Sequence, residues 1–302
     1  MSRITFATMA TRNNPTRAIM LFDSLRTFGG ELADSACIIL IPEKGEPLPD
    51  KAKEQMSVLD VSLVPFDVDE GAVRFPLASL VYAAARAEQQ VRDETEILVW
   101  MNEDTLIVSP PLDFLLHKGI NFAYRPVHHT KIGSVYGKPP DDFWSLIYQH
   151  CGVEEDKAFP METCTRDNVI RAYFNAGLLV IRPERRLLEK WLDYFKKLYQ
   201  HPDFQPFFKN DVLYMVFMHQ AVLSGVVLSM FGKDELLELP ETFNYPLHLH
   251  QEYPVEYRPQ VLNNLITCRY EGIEDLQNSL RKIPVEEPLK SWLDERLGPR
   301  EV

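Results

Sequence analysis

Glycine is scarce, 13 in 302 residues, against roughly 7% in average proteins. Neither Gly-x-Gly-x-x-Gly nor Gly-x-x-x-x-Gly-Lys-Ser/Thr occurs, so a dinucleotide-binding Rossmann turn and a P-loop have no support. The Gly-x-Ser-x-Gly elbow and the His-Glu-x-x-His helix are missing as well, which removes the hydrolase and metalloprotease signatures. Cysteine is limited to Cys37, Cys151, Cys164 and Cys268. They are scattered, with no Cys-x-x-Cys pair, and reduced thiols in a cytoplasmic protein are the expectation. The chain opens on no basic segment followed by an apolar run, and no Asn-x-Ser/Thr sequon occurs. No transmembrane segment is expected: apolar runs break on charge within about ten residues, short of the 18 or more that span a bilayer. Basic residues are the minority, 32 Lys+Arg against 44 Asp+Glu, for a net charge of −12. A general nucleic-acid binder needs a basic face and is excluded; a pocket for a single nucleotide is not.

What is present is an ordinary globular composition, 45% hydrophobic and 25% charged, which rules out wholesale disorder. Short apolar runs alternate with helical patterns over the first 130 residues. Strands are predicted at 4–7, 36–41, 61–64 and 96–101, and helices at 15–28 and 77–91, the first ended by Gly29-Gly30. Further on, the pattern predicts a strand over 121–125, a helix over 141–151, and a loop over 152–170. A strand over 173–181 follows, then a helix opened by Pro183, a helix over 211–223, and a short helix near 288–297. Strands alternating with helices imply an α/β fold with a mostly parallel, twisted sheet and helices on both faces; the C-terminal part is loop-rich. No linker is visible, so one domain over 1–275 with a helical extension over 276–302 is expected.

In an open α/β sheet, ligands sit beyond the carboxyl ends of the strands. The fourth strand, EILVWM, runs directly into Asn102-Glu103-Asp104. A carboxylate on that turn can hold a divalent cation bridging two phosphates, although such turns are more often solvated caps. His128-His129 and His248-x-His250 could each supply metal ligands, although paired histidines more often have other roles.

Four segments in order resemble nucleotide-diphospho-sugar transferases of the GT-A fold. Residues 97–115, ILVWMNEDTLIVSPPLDFL, are similar to that family's strand ending in Asp-x-Asp; residues 173–183, YFNAGLLVIRP, to its Phe-Asn-Ala/Ser-Gly strand. His219-Gln220-Ala221-Val222-Leu223 is similar to the family's Asp-Gln-x-x-Leu helix start, and residues 239–244, LPETFN, to its Leu-Pro-x-x-Phe-Asn turn. The closest group is the retaining family that includes glycogenin and bacterial lipopolysaccharide galactosyltransferases.

The resemblance implies a hexosyltransferase-type glycosyltransferase. It would move a sugar from a nucleotide-diphosphate donor, a UDP-sugar above all, to an acceptor the sequence does not name, with retention. It implies Gln220 as the catalytic residue, orienting the donor sugar. Thr8, Asn102, Glu103, Asn175, Ala176, Gly177, His219 and Arg269 would bind substrate. Asp104 and Asn102 would hold a divalent cation, manganese or magnesium.

The departures are specific. Asn102 replaces the first aspartate, His219 stands where the family has aspartate, and Arg269-Tyr270-Glu271-Gly272 replaces the C-terminal His-x-x-Gly. A guanidinium cannot ligate a cation but can grip phosphate, so the cation is expected to be weak or dispensable. A non-catalytic nucleotide-sugar or sugar binding module with a degraded metal site is the alternative. Base, sugar, acceptor and oligomeric state have no signature in the sequence.

Overall fold

The computed structural model of the chain describes residues 2–298. Its strands are β1 Ser2–Met9, β2 Ala36–Pro42, β3 Val61–Phe66, β4 Thr95–Met101, β5 Thr105–Ile107, β6 Phe122–Pro126, β7 Pro160–Glu162, β8 Val169–Arg171, β9 Phe174–Ile181, β10 Leu236–Glu238, β11 Tyr245–Pro246 and β12 Thr267–Arg269. Its helices are α1 Pro15–Phe28, α2 Asp50–Val58, α3 Ala78–Val91, α4 Asp142–Cys151, α5 Leu187–Tyr199, α6 Gln205–Asn210, α7 Val212–Met230, α8 Ile273–Leu280 and α9 Leu289–Leu297.

Seven strands form the main sheet in the order β10-β6-β9-β4-β1-β2-β3. All neighbours are parallel except that β9 runs antiparallel to both β4 and β6. Alternation along β4 sends Leu98 and Trp100 to one core and Ile97, Val99 and Met101 to the other. That is the pattern of a strand covered on both faces. The first core packs α3, α4, α5 and α7 against the sheet; the second packs α1 and α2. A small sheet, β11-β12-β5, continues from the end of β4, with β12 antiparallel to β5. Residues of β5, β11, β12, α8 and α9 share a third core that includes Leu106, Tyr245, Cys268, Tyr270, Leu276 and Trp292. Residue 275, the expected boundary of the extension, falls inside α8. All four cysteines are buried and free.

Three expectations need correction. Pro183 opens only a single 3-10 turn; Arg186, at φ 57°, breaks the path, and α5 begins at Leu187. The helix expected over 211–223 runs on to Met230, because its apolar composition continues and Gly225 lets it pack closely on α4: a Cβ there would lie 2.7 Å from the Cys151 sulfur. That same helix is also a long apolar run. Its 19 residues carry no Asp, Glu, Lys or Arg, reach a mean hydropathy of 1.7, and are long and apolar enough to cross a membrane. Here its segment from Met218 to Leu228 is core, buried against β9 and α5.

Candidate active site

The carboxyl end of β4 delivers Asn102, whose N–H donates to the Gly177 carbonyl at 3.0 Å. Because β9 is antiparallel, its beginning lies at this same edge of the sheet. Asn175-Ala176-Gly177 therefore sits beside the acidic turn although it opens a strand. Pairing between β6 and β9 shifts register here, with Tyr124 opposite Leu179 but Pro126 opposite Phe174. The Asn175 Oδ1 accepts from the Gly177 N–H at 2.8 Å and fixes the bulge. A glycine bulge, the plain structural reading of this motif, is thus present, and it forms the floor of a cavity.

Helix α7 is locked onto that floor. The Ser224 hydroxyl donates to the Gln220 carbonyl at 2.9 Å and accepts from the Phe174 N–H at 3.1 Å. This docking sets the Gln220 side chain, whose Oε1 accepts from the Ala176 N–H at 3.0 Å. Gln220 is therefore not at a helix start but well inside α7. With both amide oxygens held by backbone, the NH2 groups are what Asn175 and Gln220 have to donate, and that of Asn175 keeps one N–H beyond the one facing His128. The Asn175 Nδ2 lies 3.5 Å from His128 Nε2.

The cavity measures about 680 Å³, and Asn102, Asn175, Ala176, Gly177, His219, Gln220 and Arg269 all line it. Leu77, Leu80, Val127, Tyr173, Phe217 and Leu249 supply apolar wall. His219 Nδ1 lies 2.9 Å from the Val216 carbonyl, to which it donates, and burial lowers its pKa to about 4, so the ring is neutral at pH 7. His128 is pushed well below the usual imidazole value by burial, with Arg269 and His248 adding to the effect. His248, whose Nε2 is 3.6 Å from Glu271, is also lowered by burial. His129 Nε2 lies 3.3 Å from Glu252. Lys131, Asp167, Glu252 and Glu271 lie on the wall too and were not singled out from the sequence. Asp167 comes from the segment expected to be loop, which instead carries the β7–β8 hairpin and whose turn accepts hydrogen bonds from Thr130.

Antiparallel pairing of β12 with β5 sets Arg269 opposite Thr105, next to Asp104. Arg269 Nε donates to Asp104 Oδ1 at 3.0 Å and Nη2 to Oδ2 at 2.6 Å, a two-pronged pair that is largely buried. Burial works against the charged guanidinium, but Asp104 more than offsets it, and the arginine pKa is raised. The guanidinium lies against the bulge: a Cβ on Gly177 would stand 2.8 Å from Arg269 Nη1 and 2.9 Å from Asn175 Oδ1. Only glycine leaves that room.

Three of the expected residues do not line the cavity, and Asp104, paired with Arg269, is one of them. Thr8 is fully buried inside β1, opposite Ile39, and does not reach the cavity, because a central strand is covered on both faces. Glu103 turns away from it: its Oε1 accepts from Asn14 Nδ2 at 2.6 Å, and Arg17 lies 3.8 Å away. Burial, then the Asp104 charge, raises the Glu103 pKa, with Asn14 and Arg17 opposing. Asn14 also accepts from the Thr11 hydroxyl, so Glu103 braces the loop after β1. That loop edges a second recess of about 350 Å³, lined by Thr11, Arg12, Asn13, Ile41 and Lys44 among others, at the carboxyl ends of β1 and β2.

A divalent cation at Asn102 and Asp104 meets an unfavourable donor set. Both oxygens of Asp104 accept from Arg269, Asn102 offers only a neutral amide, and the guanidinium fixed beside them repels a cation. A different group can hold a metal: ligand atoms of His150, His201 and Asp203 lie within 4.8 Å of one another. None of these three lines the cavity.

The profile of the Rhodobacterales glycosyltransferase domain matches residues 9–226. No curated protein matches the sequence. Among solved structures, the chain is similar to the galactosyltransferase LgtC in complex with donor and acceptor sugar analogues. The identity is 13%, the overlap covers 97% of this chain and 93% of that one, and the TM-score is 0.50. It is also similar to the glycosyltransferase GlyE of Streptococcus pneumoniae (12% identity, 99% of this chain and 61% of that one, TM-score 0.48). Mouse xyloside xylosyltransferase 1 matches at 12% identity, over 90% of this chain and 98% of that one, with a TM-score of 0.48. The likeness to LgtC is one of fold, the GT-A fold.

Proposed function

The chain belongs to the Rhodobacterales glycosyltransferase domain family and is a glycosyltransferase; on that premise we propose that the cavity over β9 binds a nucleotide-diphosphate hexose, a UDP-sugar, and transfers the hexose to an acceptor hydroxyl with retention. The observation that carries the donor site is the polarity of its floor. With their oxygens held by backbone, Asn175 and Gln220 offer N–H groups beside the Arg269 guanidinium. A surface of donors suits a ligand rich in hydroxyl and phosphate oxygens. The recess beside Thr11 and Lys44 lies at the same edge and would take the base.

In the transfer, the bond from the anomeric carbon to the diphosphate oxygen breaks and its electron pair stays on the diphosphate. The acceptor oxygen bonds the anomeric carbon, and its proton passes to the departing phosphate. Gln220 is the catalytic residue: its amide, fixed by the Ala176 N–H, orients the sugar as charge develops at that carbon. The buried, free thiols support a reducing, cytoplasmic setting.

A thermal-shift screen of nucleotide sugars, followed by assay of free sugar release, tests this reading. One UDP-hexose is expected to raise Tm and to be hydrolysed slowly without acceptor. Binding without any release or transfer would make the chain a binding module. The anomeric configuration of the product, read by NMR, tests retention; an inverted product would point instead to the His129–Glu252 pair as base.

A further inference from the structure

We propose that Arg269, held in place by Asp104, carries the charge of the donor's diphosphate, and that donor binding needs no divalent cation. The inference rests on the donor-site reading above and assigns the work of its floor. A guanidinium has five N–H donors; Asp104 takes one on Nε and one on Nη2, which leaves three. Among the described residues Nη1 has no hydrogen-bond partner, and it lies against Gly177 on the cavity floor. A phosphate can therefore join the existing pair without breaking it.

A cation is opposed. Each Asp104 oxygen keeps a lone pair beyond the one Arg269 uses, but a cation placed on it would stand beside the fixed guanidinium, and turning Asp104 away to avoid that separates a largely buried ion pair. The remaining ligand, Asn102, is neutral. Asp104 is thus a positioning residue here: it sets the angle of the fork, and Arg269 is the group that touches the ligand. As the glycosidic bond breaks, the growing charge on the diphosphate meets a counter-charge already fixed in place.

The test is calorimetric titration with UDP, which carries the diphosphate without the sugar, in chelator and again in excess manganese. The two dissociation constants are expected to agree within about threefold, and Arg269→Ala to weaken binding at least about tenfold in both. Asp104→Asn separates the two roles. A positioning residue predicts UDP affinity in chelator kept within about threefold, with kcat lowered and KM little changed; a cation ligand predicts loss of binding. The double variant Asp104→Asn/Arg269→Gln removes both charges together, so it folds without a stranded ion and should bind as weakly as Arg269→Ala. His201→Ala controls for manganese taken up at His150, His201 and Asp203. UDP binding only in manganese, persisting in the His201 variant, overturns the proposal and leaves the donor site standing. No binding of UDP in either condition overturns both.

Discussion

The carboxyl edge of the sheet and the contact between α3 and α5 each bury a carboxylate, and they hold it in opposite ways. Asp104 faces a guanidinium in a two-pronged pair. Glu88, fully buried, pairs with no cation among the described residues. Its Oε2 accepts from the Glu189 N–H at 2.7 Å at the start of α5, and among the same residues Oε1 has no hydrogen-bond partner. The positive end of a helix and its free N–H groups favour an anion there, but burial dominates and pushes the pKa up to about 8. A charge that must stay fixed is given a full counter-ion, whereas a structural carboxylate can exist largely as the neutral acid. The fixed pair is the one whose arginine lines the cavity.

Breaking the pair should have the largest effect. Arg269→Ala strands Asp104 in a poorly solvated place and is expected to lower stability by about 3–5 kcal/mol, measured by urea unfolding. The double variant Asp104→Asn/Arg269→Gln should recover most of that loss. Equal losses in the two would mean that the arginine contributes packing alone. Gln220→Ala is expected to lower kcat about a hundredfold with less than a threefold change in donor affinity, checked by steady-state kinetics beside a titration. A matching loss of affinity with unchanged turnover would reduce Gln220 to a binding residue.

At Glu88 the comparison runs through pH. Its folded pKa is raised from 4.5 to about 8, so between those values the folded state holds a proton that the unfolded chain releases. Stability is therefore fully supported below about pH 4.5 and falls as pH rises through about 8. Glu88→Gln should remove that decline and stabilise the protein at pH 9 by on the order of 2 kcal/mol, read from Tm at pH 6 and pH 9. An unchanged pH profile would show that Glu88 is charged in the fold. The smallest expected change is Gly177→Ala. Its Cβ would press on the guanidinium that Asp104 holds and on Asn175 Oδ1, costing about 1 kcal/mol and weakening UDP binding several-fold; full retention of binding would place the diphosphate elsewhere.

The same contrast explains what could be read from the sequence. Strands β2, β4 and β9 are continuous apolar runs with clear stops, and α1 and α3 carry regular helical spacing, so these were legible within a residue or two. The hairpin β7–β8, the short strands β5, β11 and β12, and α2 and α8 were not. Each is brief, and β5, β11 and β12 are held by partners far along the chain, as when Cys268 of β12 pairs with Leu106 of β5. At the site, Asn175, Ala176, Gly177, His219 and Gln220 were singled out and share one cavity. The pairing of Asp104 with Arg269, 165 positions apart, follows from the β5–β12 register, which no local pattern encodes. Thr8, which the resemblance implies as a binding residue, lies in a central strand, and its covering on both faces appears only once both layers are assembled. The long apolar run of α7 was overlooked because His219 and Gln220 interrupt it, and with Phe217 those two residues are the part of the helix that lines the cavity.

The central claim, that the sugar donor reacts over β9 against a fixed arginine, is tested most directly by a crystal structure with a UDP-hexose bound in chelator. The account predicts the diphosphate on Arg269 with the Asp104 pair intact, and the sugar within hydrogen-bond reach of the Asn175 and Gln220 amides. A donor seated outside this cavity, or an Asp104 turned away from Arg269, would contradict it.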